Sequence, residues 1–508
     1  MLTIISTFFR ELEAQIRAIG ELIRSIGVDI SHFIYVFGSR SPPLYTVSLN
    51  GVDNLQHALR AQWSKDKEEK YVLQLPFRDI IVLPNQYLAD YGWKKDDEIS
   101  SNIDLRERIL GRWTLLGSLT PMVPGDRTHS AVAFIKDFMT RNMPSYFGAV
   151  HDEIEFSLSK YIGTCPGWHP QAAYQLCIEL NMQVFERVFV GLDLCRNEDW
   201  GAACKGYSIS AIHTAATLMG YSWWQRPFIA PFIKEYKSLK RHILALHKHV
   251  EPILKLRLAR IGDQSLEQNH PKDFLQWWIE RAPEKNKADG YALTLALIQL
   301  NIAGIQSTGM VLMQALFDLA SRPEYAEPLL DELQQVIREN GSDALSPHAI
   351  GKLVMMDSFL KESQRHVAQN LLSIYRKVMS PLTLKDGTII PSRSYVAVPS
   401  MDPDAQPGST KRTFDGFRWA RLRAAPGNSE KFTTVASGID SLEFGYGVHA
   451  CPGRFFAMNT IKAMLVAILR RYELRMPPGE KIPSHRYNPI LVLIPPKEQM
   501  VELRDRRC

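Results

Sequence analysis

Phe444-Gly445-Tyr446-Gly447-Val448-His449-Ala450-Cys451-Pro452-Gly453-Arg454 decides the reading of this chain, because it sets one cysteine among glycines at the start of a helical pattern. Backbone NH groups and the positive end of a helix dipole both favour a charged sulfur, so a cysteine at such a mouth is placed to serve as a thiolate. Pro452 suits a first helical turn, where its missing NH costs nothing, and Phe455 to Met464 continues as a helix behind it. A lone cysteine near a glycine is more often a small buried side chain. The whole string shifts that balance.

The string resembles the haem-binding loop of the cytochrome P450 family: Phe, two residues, Gly, one residue, Arg or His, one residue, Cys, one residue, Gly. Phe444, Gly447, His449, Cys451 and Gly453 fill every place. The resemblance implies haem b with Cys451 as the axial thiolate on iron, pushing electron density toward the ligand opposite. It further implies that Phe444 shields the sulfur, that Gly447 and Gly453 let the backbone approach it, and that His449 donates to a haem propionate.

Upstream, Glu362 and Arg365 stand three apart and share a helix face. Taken alone, such a pair is a surface ion pair of little worth. The family closes its Glu-x-x-Arg pair with a further arginine, and Phe414-Asp415-Gly416-Phe417-Arg418-Trp419 resembles the segment that supplies it, which makes Arg418 the third member of a structural trio. By the same resemblance Arg376 is a second propionate partner. Ala368 departs from the family, where proline is usual.

The segment from Tyr291 to Ala320 is apolar, with almost no charge before Asp318, and is rich in helix formers. Its length would suffice to span a membrane, but Gln299, Asn301, Gln306 and Gln314 argue against lipid on all sides. It resembles the family's helix across the distal haem face, with Ala303-Gly304-Ile305-Gln306-Ser307-Thr308 at its motif. Gly304 is expected to let that helix open locally beside oxygen. Ser307 and Thr308 keep hydroxyls for proton delivery, whereas Gln306 replaces the family's acid.

The three motifs stand in family order and extend the resemblance from about Phe77-Arg78-Asp79 to near the C-terminus. The expected fold is therefore mainly α with a smaller β region, a single large haem-enclosing domain over 44–508. The string Phe189 to Asn197 is worded most like enzymes of filamentous-fungal secondary metabolism.

Composition fits one globular domain: 508 residues, 45% hydrophobic and 22% charged, without a linker or repeat. Six cysteines show no CxxC pair, so neither a disulfide scaffold nor a protein-built metal cluster is favoured. The net charge of +6 is mild and makes no basic stripe, so no nucleic-acid partner is expected.

Residues 1–43 read as an amphipathic, membrane-associating segment and hinge. Leu12, Ile16, Ile19, Ile23 and Ile26 recur at helical spacing, Arg10, Glu11 and Glu13 interrupt the apolar start, and Pro42-Pro43 resembles the family's hinge. A helix packed on the body reads equally well. A second membrane candidate is Tyr221 to Phe232, with Trp223, Trp224 and Phe228 beside Arg226. The resemblance implies the cytoplasmic face of the endoplasmic reticulum membrane, although no spanning helix is legible at the N-terminus.

The expected function is haem-thiolate oxidation, by default hydroxylation, of a hydrophobic small molecule such as a terpenoid or indole alkaloid. Its partners would be O2, NADPH–cytochrome P450 reductase and cytochrome b5. Oxidative coupling, ring closure or desaturation is the alternative within the family, and a non-catalytic haem-binding protein the alternative outside it.

Overall fold

The computed structural model describes residues 45–48, 69–75, 77–116, 131–261, 270–341, 345–400, 413–483, 486–488 and 492–506. The amphipathic segment and hinge expected over 1–43 lie outside the described residues.

Long helices form where apolar periodicity meets a cap. Among the described residues they are α1 (Met143–Tyr161), α2 (Ala173–Phe189), α3 (Glu198–Met219), α4 (Lys234–Ala259), α5 (Gly290–Ser321), α6 (Ala326–Asn340), α7 (Val354–His366) and α8 (Arg454–Arg471). Asn197 caps α3 by accepting from the Trp200 amide at 2.9 Å, and Asp289 caps α5 by accepting from Ala292 at 2.9 Å.

The strands of the two larger sheets are β1 (Tyr45–Ser48), β2 (Tyr71–Leu75), β3 (Arg78–Val82), β4 (Ile99–Ser100), β5 (His169–Ala172), β6 (Leu372–Val378), β7 (Tyr395–Pro399), β8 (Tyr472–Arg475) and β9 (Met500–Asp505). Six of them pair in the order β1-β2-β3-β7-β6-β4, and three in the order β8-β9-β5. In β2 the alternating Tyr71, Leu73 and Leu75 are buried, as one core face of a sheet requires. β3 runs parallel to β7, with Ile81 opposite Val396, which fastens the early chain to the segment after α7. The architecture is the expected one, mainly α with a smaller β region.

At the centre lies α5, long and apolar enough to cross a membrane by length and composition. Leu297, Leu312, Ala315, Leu316 and Phe317 are fully buried, so its apolar surface faces protein. The helix is continuous through Ala303-Gly304. A Cβ on Gly304 would stand 2.5 Å from Cε1 of Phe185, so this glycine admits a ring from α2.

Candidate active site

Two turns of positive φ shape the loop around Cys451: Gly445 at +79° and Gly447 at +72°, both in the left-handed region that favours glycine. At Gly447 a Cβ would lie 1.9 Å from the Gly92 carbonyl oxygen, and Val448 N donates to that same oxygen at 3.2 Å. The loop is thereby seated on the early chain. Within it, Cys451 N donates to Phe444 O at 2.7 Å and Ala450 N to Gly447 O at 3.1 Å. The helix starts at Arg454, later than the sequence suggests, with Pro452 and Gly453 forming a turn ahead of it.

Burial pushes the Cys451 thiol up, while the NH groups of Gly453 and Arg454 and the Arg454 charge oppose that rise without cancelling it. A cation that ligates such a sulfur would deprotonate it outright. Arg454 also ties the loop down, its Nη1 donating to Cys451 O at 2.7 Å and its Nε to Val435 O at 3.1 Å.

Cys451 lines a cavity of about 1010 Å³, and Phe444, Gly453, Gly304, Ser307 and Thr308 line the same space. That is the upper end of the roughly 300–1,000 Å³ typical of ligand sites, large enough for a flat macrocycle with a small molecule beside it. One cysteine at the wall, NH groups turned toward its sulfur and glycines where the loop must come close fit a haem ligated through a thiolate. The donor set and the space agree.

Not every residue singled out in the sequence reaches that cavity. Gln306 is turned away from it, its Oε1 accepting from the Tyr174 hydroxyl at 3.0 Å. The Ser307 hydroxyl donates to Ala303 O at 2.9 Å, and Thr308 beside it is buried. His449 lies outside the lining and pairs with Asp96 at 3.1 Å, a contact that holds the Asp96 carboxyl below its usual range against the cost of burial. Arg376, also outside the lining, is buried on β6 and donates from Nη1 to Tyr375 O at 2.8 Å. Burial pulls its pKa down. Next to it the hydroxyl of fully buried Tyr91 has no hydrogen-bond partner.

Glu362 is the hub of the scaffold behind the loop. Arg365 grips it with two bonds, Nε to Oε2 at 2.9 Å and Nη2 to Oε1 at 2.8 Å. Arg418 Nε stands 3.4 Å from Oε1 as an ion pair, while its Nη2 donates to Thr413 O at 2.9 Å. The three residues of the expected trio thus meet. Two donors had no sequence signal: the Asp415 amide at 3.1 Å and Trp419 Nε1 at 3.0 Å. Burial raises the Glu362 pKa, yet the hydrogen bonds from His366 and Arg365 outweigh it and hold the carboxyl at about 2.

Sequence reasoning also missed Asp357, one turn earlier on α7. It accepts from Thr434 N at 2.9 Å and Oγ1 at 2.7 Å, and pairs with Lys462 of α8 at 2.5 Å and Arg423 at 3.2 Å. Its burial and Lys462 partner lie far away in sequence, so no local spacing marks it. Together Glu362 and Asp357 bind α7, α8 and the segment before the loop into one frame.

The family model for Cytochrome P450 matches residues 207–503. Cytochrome P450 monooxygenase BOA7 of Botryotinia fuckeliana (strain B05.10) is 33% identical over 480 residues, spanning 89% of this chain and 88% of its own. Cytochrome P450 monooxygenase olcJ of Penicillium canescens is 32% identical over 409 residues, 80% of this chain and 75% of its own. The solved structure of retinoic acid bound cyanobacterial CYP120A1 superposes with a TM-score of 0.65 at 16% identity, covering 90% of this chain and 95% of that one, a likeness of fold. Family match, relatives, fold and a cysteine-walled cavity of the right size converge: the chain belongs to the cytochrome P450 family of monooxygenases, whose haem is held through a cysteine thiolate.

Proposed function

We propose that this P450 hydroxylates an apolar small molecule, with terpenoids and indole alkaloids the classes to assay first. The observation that carries this reading is the cavity beside Cys451, walled by Phe185, Phe189, Leu300, Val311 and Leu493. Such walls bind a hydrocarbon framework, while polar side chains on the same lining, Gln314, Gln369 and Asn370 among them, can orient it. The fungal sources of the two relatives support a fungal metabolite as substrate.

Cys451 would hold the haem iron and Phe444 would lie against the sulfur, while His449 and Arg376, outside the lining, would meet the haem carboxylates only by turning from Asp96 and from Tyr375 O. When bound, the haem supplies an oxidant able to attack an unactivated C–H bond. The reaction balances as RH, O2, NADPH and a proton giving ROH, water and NADP⁺, with the two electrons delivered by NADPH–cytochrome P450 reductase and with cytochrome b5 as an alternative donor of the second. Ser307 Oγ faces the cavity and can turn from Ala303 O to hand on a proton, with Thr308 next to it. Gln306, held by Tyr174, fixes its own turn and takes no direct part.

The assignment to a membrane surface rests on Trp223, Phe228 and Phe232, which are 79%, 72% and 80% exposed. Lys234 follows them on α4, and aromatic rings beside a cation suit the headgroup region. Arg226 is already committed to the backbone, with Nε donating to Leu218 O and Tyr221 O at 3.0 Å each. We place the enzyme on the cytoplasmic face of the endoplasmic reticulum, with residues 1–28 adding to its attachment.

The test is to combine the haem-loaded protein with a reductase, NADPH and candidate metabolites and to weigh the products. A product heavier by one oxygen atom supports hydroxylation, and one lighter by two hydrogens overturns it in favour of coupling or desaturation. Cys451→Ala should show neither the thiolate-type carbon monoxide spectrum nor product. A wild-type spectrum in that variant would remove the basis of the reading.

A further inference from the structure

One face of α2 follows the cavity turn of α5. Tyr174 donates to Gln306, the Ile178 side chain packs at Gly309, and Phe185 fills the space over Gly304, where a Cβ would meet it at 2.5 Å. Midway between them sits Asn181, fully buried, at the spacing of three and four that puts all of these on one side of a helix. Its Nδ2 donates to the main-chain carbonyl of Ile305 at 2.7 Å and reaches that of Gly304 at 3.4 Å. A buried amide between helices is costly unless it is bonded. Here its donor goes to two carbonyls of the turn that carries Ser307 and Thr308.

Other side chains serve the same stretch. Ser307 Oγ donates to Ala303 O at 2.9 Å, and Gln369 Nε2 donates to Ser307 O at 2.8 Å from the cavity wall. A run of helix carbonyls beside the cavity is thus held by side-chain donors, with Asn181 the fully buried one among them.

We propose that Asn181 is a positioning residue for the oxidation. By drawing the Gly304 and Ile305 carbonyls toward α2, it sets the rotation of the turn and keeps Ser307 and Thr308 at the cavity wall. The inference rests on the reading of this cavity as the site of oxidation, with Ser307 or Thr308 delivering the proton. Asn181 itself touches neither substrate nor cofactor.

Two readouts test it. In haem-loaded Asn181→Leu, which keeps the branch at Cγ but is bulkier and has no donor, amide hydrogen exchange over residues 300–310 should quicken by about threefold, the scale of one lost hydrogen bond. Peroxide released per NADPH should rise by about the same factor, because O2 then leaves with two electrons and two protons as H2O2 instead of yielding product and water. Haem content and substrate KM should stay at wild type, and Asn181→Gln, which keeps the amide, should recover part of the loss. Should Asn181→Leu fail to load haem, Asn181→Ala, which adds no volume, is read in the same way. Faster exchange with unchanged peroxide would make Asn181 a packing residue and overturn the inference, as would unchanged exchange. Ser307→Ala, run in parallel, separates the two readings: if it leaves peroxide at wild type while Asn181→Leu raises it, the Ser307 assignment fails and the positioning role of Asn181 stands.

Discussion

Glu362 carries more charge pairing than its neighbours and has the more to lose. Its folded pKa of about 2 lies below the value near 4.3 of an unfolded glutamate, so its contribution is fully present above about pH 4.3 and disappears as the pH falls toward 2. The shift corresponds to something on the order of 3 kcal/mol. Glu362→Ala strands two guanidinium groups and should cost roughly 3–5 kcal/mol, leaving little haem-loaded protein; soluble Glu362→Ala with full haem content would refute the role of the trio. The cavity hydroxyl makes a different prediction. Ser307→Ala should raise peroxide per NADPH and lower product without changing haem content, while Gln306→Ala, aimed at Tyr174, should change the partition less. Product per NADPH unchanged in Ser307→Ala would move proton delivery to Thr308 or water. At this scale the residues around Cys451 were legible because a fixed local string carries them. Trp419 and the Asp415 amide were not, since an indole or a backbone donor can come from anywhere the chain happens to pass.

Between elements, the buried acid Glu186 on α2 faces α3 and α5. Its Oε1 accepts from Cys204 Sγ at 3.3 Å, and Asn301 Nδ2 reaches that sulfur at 3.6 Å. Burial raises its pKa to about 7, against smaller opposing contributions from Trp200, Cys204 and Asn301. The folded state therefore holds this proton more tightly than the unfolded chain, so stability declines as the pH rises from about 4.3 to 7 and stays reduced above that. Glu186→Gln should remove that part of the slope and stabilise the protein at pH 8 by something on the order of 3–4 kcal/mol, read from denaturant midpoints at pH 5 and pH 8. An unchanged slope would mean that Glu186 is solvated in solution. The apolar run of α5 was plain in the sequence, but what its glycine does was not. A glycine in a helix signals either a weak hydrogen-bond ladder or a close neighbour, and only the Phe185 ring from another helix decides for the second.

For the molecule as a whole, the membrane attachment proposed for the exposed aromatics before α4 can be measured. Replacing Trp223, Phe228 and Phe232 together by serine should shift the enzyme out of the membrane fraction on flotation, while leaving its carbon monoxide spectrum intact, because none of the three lines the cavity. Unaltered flotation would assign attachment to other residues. The mainly helical architecture followed from the order of the motifs, whereas the sheet order did not. Strands of two to seven residues carry little periodicity, and pairings such as β3 with β7 join segments that nothing local connects.

The contact between Gly447 and the Gly92 carbonyl has a consequence for synthesis. The ribosome releases residue 92 well before the cysteine loop, so the loop reaches its seat only after the strands and helices between them have emerged. Capture of haem through Cys451 then has to follow the making of that seat. A chain stopped before residue 447 would have the early strands and most of the helices, yet no means of keeping iron.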